Sequence, residues 1–459
     1  MFAKLNYDFF TIAAVCGIKM PSLNIEPVRI TSITTSSLEV KPGSLFVPLA
    51  DKRDGHYFIN DAIDHGAAAF FVRKGHNILK HIRASHQKKI ILVDDPLQAL
   101  NRLAQFHRSR FAPYVIAVTG SNGKTTTKEM LAQIFQTAYA NACTATKKNY
   151  NNHIGVPFTL FSINEKTRVA IVEMGMNHAG EIASLTKIVK PHAALISSVG
   201  HAHIEFFSSR RAIAAAKGEV MTAMPHGGQV YVPQDVQEMP TLLQIAKKHH
   251  CRIRRIDKRK GFLKIEKISP QGFTLSIENK KFDFPYPNKA WVSNLALAAI
   301  CAHDAGVKTT DILSAVRRFK PLDGRMQIVK GHFTLIDANP DSAIASIDAA
   351  LQIADGAPVV CVFADFKELG RFSQKLHAWT GIEAAKKGVA AFYAIGSEMK
   401  HAQLAFGKNA AKSARSYFFA REDTARIIEA LRAEKAGSVV LVKGSRAMKM
   451  EEIVAQLKK

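Results

Sequence analysis

Residues 119–130 read TGSNGKTTTKEM, a lysine and several hydroxyls directly behind a pair of glycines. The apolar run YVIAVTG (114–120) precedes them and the helix-forming stretch KTTTKEMLAQIFQTA follows. A strand, a glycine turn and a helix N-terminus present converging N–H groups and a positive dipole end, which suits phosphate. Lys124 adds a point charge for terminal phosphates, and the Thr125 hydroxyl is a natural magnesium ligand. Gly120, Ser121, Asn122, Gly123, Lys124, Thr125 and Thr126 are therefore the candidate nucleotide cradle. The alternative is a glycine turn before a capped helix. The spacing is unusual: only two residues separate the glycines, and Val118 stands where the common phosphate loop has its first glycine.

Two more apolar runs, RVAIVEMG (168–175) and AALISSVG (193–200), each lead through polar residues into a helical segment. This alternation predicts a parallel sheet covered by helices. Ligands of such sheets lie beyond the C-terminal strand ends. Glu173 ends the first run, where a carboxylate can hold Mg²⁺ or simply be solvated. His203 follows the second, and a lone histidine there reads equally as a packing residue. Lys217, in AAAKGE, reads by itself as a solvated helix lysine. Asn294, in WVSNLALAAI, has the type of a helix cap.

The 459 residues predict three α/β domains. Residues 1–94 hold KPGSLFVPL and HGAAAFFV without a glycine loop and form a smaller N-terminal unit; FFTIAAVCGI within it predicts a short amphipathic helix. Residues 95–313 form the central phosphate-loop, parallel-sheet domain. Residues 314–459 repeat the strand–helix alternation in HFTLID, PVVCVFAD, AAFYAIG and SVVLVKGS, predicting a Rossmann-like C-terminal domain. RRFKPLDGRM (317–326), with Pro321 and Gly324, is the expected hinge.

A net charge of +25 favours anionic ligands such as nucleotides. The basic stretch CRIRRIDKRKGFLKIEK (251–267) alternates and predicts a strand with one solvated face. No aromatic-interleaved motif accompanies it, so no nucleic-acid partner is expected. No apolar run reaches the length of a membrane span. Five scattered cysteines without a C-x-x-C pair fit neither a zinc site nor a disulfide framework, and point to a reducing cytoplasm.

The loop TGSNGKTT resembles that of the Mur ligase family, in which the short glycine spacing is normal. KKNYNNHIGVP (147–157), VEMGMNHAGEI (172–182), AHIEFF (202–207), AAAKGEV (214–220), DGRM (323–326), ANPDS (338–342), KELG (367–370) and VKGSRAMKMEEIV (442–454) agree in order and spacing. They are similar to the branch that joins D-alanyl-D-alanine to a UDP-muramoyl peptide. The resemblance implies an ATP- and Mg²⁺-dependent amide ligase of peptidoglycan synthesis, cytoplasmic and monomeric, acting through an acyl phosphate. It implies Thr125, Glu173, His203 and a carbamylated Lys217 as the metal set, with Lys124, Lys217, His203 and Arg325 in the catalytic centre. Asn294 would read adenine, and Arg325 would reach the γ-phosphate. Asn149, Asn151 and Asn152 would face the muramoyl substrate, and Asn339, Asp341 and Ser342 the meeting point of nucleotide and amine.

Some segments depart from the family pattern. TTSS (34–37) lacks the aspartate and arginine of the usual T-D-S-R, Ser198 replaces an asparagine, and LIDANPDS is shorter than usual. Two other functions therefore compete: a paralogue joining a different carboxylate and amine, and a non-catalytic nucleotide-binding protein.

Overall fold

The computed structural model describes residues 1–18, 28–50, 53–258, 261–320, 327–329, 334–337 and 343–457. The N-terminal sheet consists of β1 (Phe2–Asp8), β2 (Arg29–Thr34), β3 (Ser44–Phe46), β4 (Ala69–Arg73) and β5 (Ile90–Val93), in that order. Only β1 runs antiparallel to its neighbour. The expected N-terminal helix forms over Phe9–Val15, with Asp8 accepting the Thr11 N–H at 2.7 Å.

The central sheet contains β6 (Tyr114–Thr119), β7 (Cys143–Ala145), β8 (Val169–Glu173), β9 (Ala193–Ile196), β10 (Gln229–Pro233) and β11 (Arg252–Ile256). Its order is β11-β10-β9-β6-β8-β7 and every pairing is parallel. All four residues of β9 and all five of β8 are buried. Strands covered on both faces read as continuous apolar runs, which is why these segments stood out in the sequence.

The basic stretch is not one strand but two in different sheets. The first part is β11, an edge strand whose exposed Arg252, Arg254 and Arg255 blunt further pairing. The second part is β12 (Leu263–Ser269), which joins β13 (Gly272–Ile277) and β14 (Lys280–Phe284) in an antiparallel sheet. That small sheet covers one face of the central domain through Leu275, Ile277 and Phe284, against the helices Lys124–Tyr139 and Lys289–Asp304.

The last sheet comprises β15 (Gln327–Val329), β16 (Thr334–Asp337), β17 (Val359–Ala364), β18 (Ala391–Ile395), β19 (Arg415–Phe419) and β20 (Val439–Lys443), in the order β15-β16-β20-β17-β18-β19. It is parallel apart from β15, and both faces are packed.

The N-terminal and central sheets share one continuous core, bridged by the helix Pro96–Ser109. Asp95 caps that helix, accepting from Leu97 N–H at 2.7 Å and Gln98 N–H at 3.0 Å, with Pro96 in its first turn. Such a cap contributes about 1 kcal/mol. Leu100 and Leu103 are fully buried on the inner face and contribute about 1.5–3 kcal/mol each. Side-chain burial therefore outweighs the cap in holding this element. Among the described residues, no helix is long and apolar enough to cross a membrane.

Candidate active site

The glycine loop turns directly out of β6 into the helix Lys124–Tyr139. Gly123 caps the helix at φ 81°, and a Cβ there would lie 2.6 Å from Asn294 Oδ1. At Gly120 (φ 150°) a Cβ would meet Ser197 Oγ at 2.1 Å. Both glycines are thus demanded by backbone conformation and by close neighbours. The two-residue spacing is a property of how the loop packs, not a defect.

Three serines hold the loop. The Ser121 N–H donates to the Ser198 carbonyl (3.0 Å), and the Gly200 N–H donates to Ser121 Oγ (2.8 Å). The Asn122 N–H donates to Ser198 Oγ (2.8 Å), while Ser197 and Ser198 donate to the Asn122 carbonyl at 2.5 and 3.0 Å. Ser198 is one of the family departures, and here it ties the loop to the end of β9. The Lys124 ammonium donates to the carbonyls of Gly120 (2.7 Å) and Ser121 (3.2 Å) and so stays over the loop.

Glu173 ends β8 beside the loop and is only 1% exposed. Its Oε1 accepts from Thr125 Oγ1 (3.2 Å) and Asn151 Nδ2 (2.8 Å), and its Oε2 is buried with no hydrogen-bond partner among the described residues. A buried carboxylate oxygen left in this state is costly. A divalent cation would satisfy it, and hydroxyl and carboxylate oxygens are the donors Mg²⁺ prefers. The residues present therefore fit the metal.

The Asn151 side chain holds the Glu173 carboxylate. Its carbonyl also accepts the Gly175 N–H at 2.7 Å. Asn152 is exposed, and its Oδ1 accepts the N–H groups of Ile154 (3.2 Å) and Gly155 (2.9 Å) at the start of the helix Gly155–Leu160. Asn149 is exposed.

Lys217 sits on the helix Arg210–Gly218 and is 2% exposed, so it is not the solvated helix lysine that composition alone allowed. Two residues on, Glu219 accepts the N–H groups of Gly180 (2.7 Å) and Ala183 (3.1 Å), opening the helix Glu181–Val189. The KGE and EMG…GEI segments are thereby joined.

Asn294 is not the cap of its helix. Asn288 is, accepting the Ala290 N–H at 2.9 Å, and Asn294 lies in the second turn against Gly123. A cavity of about 310 Å³ opens there, lined by Asn122, Gly123, Ser198, Pro233, Asp235, Lys258, Ser293 and Asn294. Lys258 Nζ spans it, donating to Asp235 (3.2 Å) and Ser293 (3.2 Å).

His203 is the first residue past the loop that follows β9, at φ 62°. Its Nδ1 lies 2.7 Å from the Glu368 carboxylate of the C-terminal domain. A cleft of about 440 Å³ lies between the two domains, with Asn122, His203 and Arg210 on one wall and Phe366, Glu368 and Trp379 on the other. Burial, and then the Arg210 guanidinium, push His201 in this cleft below the ordinary histidine range. Arg325, Asn339, Asp341 and Ser342 lie outside the described residues.

Sequence reasoning missed Ser197, Ser198, Glu219 and Glu368 as parts of this site. The available signals were the paired serines at a buried strand end and the acidic residues inside KGE and KELG.

Three family models match the chain: the Mur ligase family, catalytic domain over residues 29–108, the Mur ligase middle domain over 118–302, and the Mur ligase, glutamate ligase domain over 324–446. The UDP-N-acetylmuramoyl-tripeptide–D-alanyl-D-alanine ligase of Haemophilus influenzae is 31% identical over 447 residues, 94% of each chain. The ligase of the same name from Escherichia coli is 29% identical, covering 97% of this chain and 98% of its own. The crystal structure of MurF from Acinetobacter baumannii superposes with a TM-score of 0.85 at 26% identity, covering 99% of both chains. Similarity of this extent, with the family's models in order along one chain, makes the protein a member of the Mur ligase family.

Proposed function

We propose that this chain is an ATP-dependent, ADP-forming ligase that adds D-alanyl-D-alanine to UDP-N-acetylmuramoyl-tripeptide in peptidoglycan precursor synthesis. Eight relatives that match nearly the whole chain carry that name, which supports the substrate pair. The observation that carries the catalytic half is the buried Glu173 Oε2 beside the phosphate loop, which has no hydrogen-bond partner among the described residues.

A carboxylate is a poor electrophile because its charge repels a nucleophile. In the proposed reaction its oxygen attacks the γ-phosphorus and ADP leaves, giving an acyl phosphate. The amine nitrogen of D-alanyl-D-alanine then attacks the acyl carbon. The tetrahedral intermediate expels inorganic phosphate, and the amine proton is lost as the amide forms. Phosphoryl transfer of this kind depends on positioning and charge neutralisation.

The loop from Gly120 to Thr126 cradles the phosphates, with Lys124 and Arg325 as the cations at the γ-phosphate. Thr125, Glu173, His203 and Lys217 would hold Mg²⁺, the buried Lys217 as a carbamate. The metal, when bound, neutralises phosphate charge. Asn294 reads adenine in the neighbouring cavity. Asn149, Asn151 and Asn152 face the muramoyl substrate, and Asn151 also holds Glu173. Asn339, Asp341 and Ser342 face the incoming amine. The reading extends to a cytoplasmic monomer of three domains divided near residues 94 and 313.

The test is ADP release with both substrates and with each omitted in turn. ADP is expected only when the UDP-muramoyl tripeptide and the dipeptide are both present. Equal release without the dipeptide refutes the reading.

A further inference from the structure

We infer that Lys128 is the positioning residue for the segment 146–152, turning it off the sheet edge so that Asn151 closes on Glu173. The inference rests on the reading of the site given above for its link to substrate. Lys128 lies one helical turn past Lys124 and is only 1% exposed. Lysine is almost never so buried unless it is paired. Its Nζ donates to the Thr146 carbonyl at 2.8 Å and is ion-paired with the partly exposed Glu129. The nucleotide cradle ends at Thr126, so phosphate binding does not account for this lysine.

Thr146 follows the last residue of β7, and its contacts show how the ladder stops. The Thr146 N–H still donates to the Ile171 carbonyl of β8 at 3.0 Å. Continuing the parallel ladder would send the Glu173 N–H to the Thr146 carbonyl. The Glu173 N–H instead donates to Thr146 Oγ1 at 3.0 Å, and the carbonyl is turned to Lys128. β7 thus ends where Lys128 takes the next acceptor of the ladder.

The chain released in this way folds back on β8. Lys148 adopts left-handed backbone at φ 49°, a conformation non-glycine residues keep where their surroundings over-determine it. The turn is tight: a Cβ on Gly155 would lie 2.4 Å from Tyr150 Cα. Asn151 then reaches Glu173 Oε1 with its amide, and its carbonyl takes the Gly175 N–H. The segment grips Glu173 through its N–H, its carboxylate and the residue two further on. Lys128 ties that grip to the helix that the phosphate loop opens. A buried ion pair of this kind is weak evidence for stability, since an apolar side chain of similar volume often packs as well. Its consequence is position. Without Lys128 the Thr146 carbonyl can accept the Glu173 N–H, β7 lengthens, and Asn151 is drawn out of register with Glu173.

The test compares Lys128→Met, Asn151→Ala and the double variant in the full chain, with thermal melting as the check on folding. Three quantities are read: hydrogen exchange of the Gly175 amide without ligands, ADP affinity without divalent metal, and KM for the UDP-muramoyl tripeptide. Lys128→Met is expected to speed Gly175 exchange and to raise that KM, each by roughly 5–10-fold, the size of one net hydrogen bond. ADP affinity should stay within twofold of the parent, because the serines at the end of β9 hold the loop independently. The double variant should be no worse than the worse single variant, because both act through one segment. If Lys128→Met does not fold, Thr146→Val replaces it: it keeps the carbonyl contact, removes the acceptor of the Glu173 N–H, and should give the same shifts. Gly175 exchange or the KM within twofold of the parent overturns the proposal. So does an ADP affinity that falls as far as the KM rises, or losses that multiply in the double variant. If the parent itself releases no ADP with the UDP-muramoyl tripeptide, the functional reading falls, and Gly175 exchange alone decides the role of Lys128.

Discussion

Asp54 and Glu173 are carboxylates that stand among groups able to ligate a metal, and they differ in what is left unsatisfied among the described residues. Asp54 lies in the N-terminal domain with His56 Nδ1 at 2.7 Å and His76 Nε2 at 3.1 Å. These three residues are the one group with metal-ligand spacing among His, Cys, Asp and Glu of the described residues. Each far ring nitrogen accepts a backbone N–H, His56 Nε2 from Arg73 (3.1 Å) and His76 Nδ1 from Ile78 (3.2 Å). Both rings therefore aim N–H at Asp54, and the cluster is closed. A metal-bound histidine donates from its far nitrogen rather than accepting there. Glu173 is the reverse case: one oxygen is held by Thr125 and Asn151, and the other has no hydrogen-bond partner among the described residues. Ligand types at the right spacing do not by themselves make a metal site when each donor already has its partner.

The largest expected effect tests the open cluster. Glu173→Gln should lower ADP-forming turnover by roughly 10²–10³-fold, the size typical of losing one group that stabilises transition-state charge. Its melting temperature should hold or rise, because a buried, half-satisfied charge is removed. Lys124→Ala should likewise abolish turnover with the fold intact, and normal ADP release by either variant would remove the site from the phosphate loop.

The closed cluster should behave oppositely. Asp54→Ala strands two ring N–H groups and should cost about 1–3 kcal/mol of stability, while ATP-dependent Mn²⁺ affinity stays unchanged. A weakened Mn²⁺ affinity would mean that the two clusters are not independent.

The pH dependence follows from the same contacts. Partial burial pushes Asp54 up, but the His56 backbone N–H and the His56 and His76 rings outweigh it and bring the carboxyl down to about 2. Burial likewise pushes His56 down, against the opposing pull of Asp54. Both groups bind protons more readily unfolded than folded, so stability falls as pH drops. The His56 contribution is lost below about 6.5 and the Asp54 contribution from about 4 toward 2. Melting temperature against pH should show this slope, and Asp54→Ala should flatten its acidic end.

The smallest effect concerns the loop serines. Ser198→Ala removes two hydrogen bonds to Asn122 and should cost roughly 1 kcal/mol of loop order, seen as an about fivefold higher KM for ATP. An unchanged KM would mean that Ser197 and Ser121 suffice.

The sequence made the phosphate loop legible because its parts are neighbours: strand, glycines, Lys124 and helix lie within one covalent stretch, and Thr125 follows directly. The parallel sheets were legible for the same reason, each strand being a buried run. The division of residues 251–267 between β11 and β12 was not, because both halves alternate alike and only packing tells their sheets apart. Nor was the cap role of Asn288, six positions before Asn294, for which the sequence left a cap role open. The contact of Asn151 with Glu173 was not legible either, since nothing local shows that its amide turns onto a carboxylate 22 residues away.

By itself, then, the sequence determined that this chain has a nucleotide loop of ligase type on a parallel sheet. Conformation there is dictated by residues close enough to need no chain closure. Only the tertiary structure decided which carboxylate is left open, which serines lock the loop, and which glutamate reaches His203. Those partners come together across 22 to 165 residues. Contacts at such separations form only when packing of the whole core offsets the entropy of closing the chain.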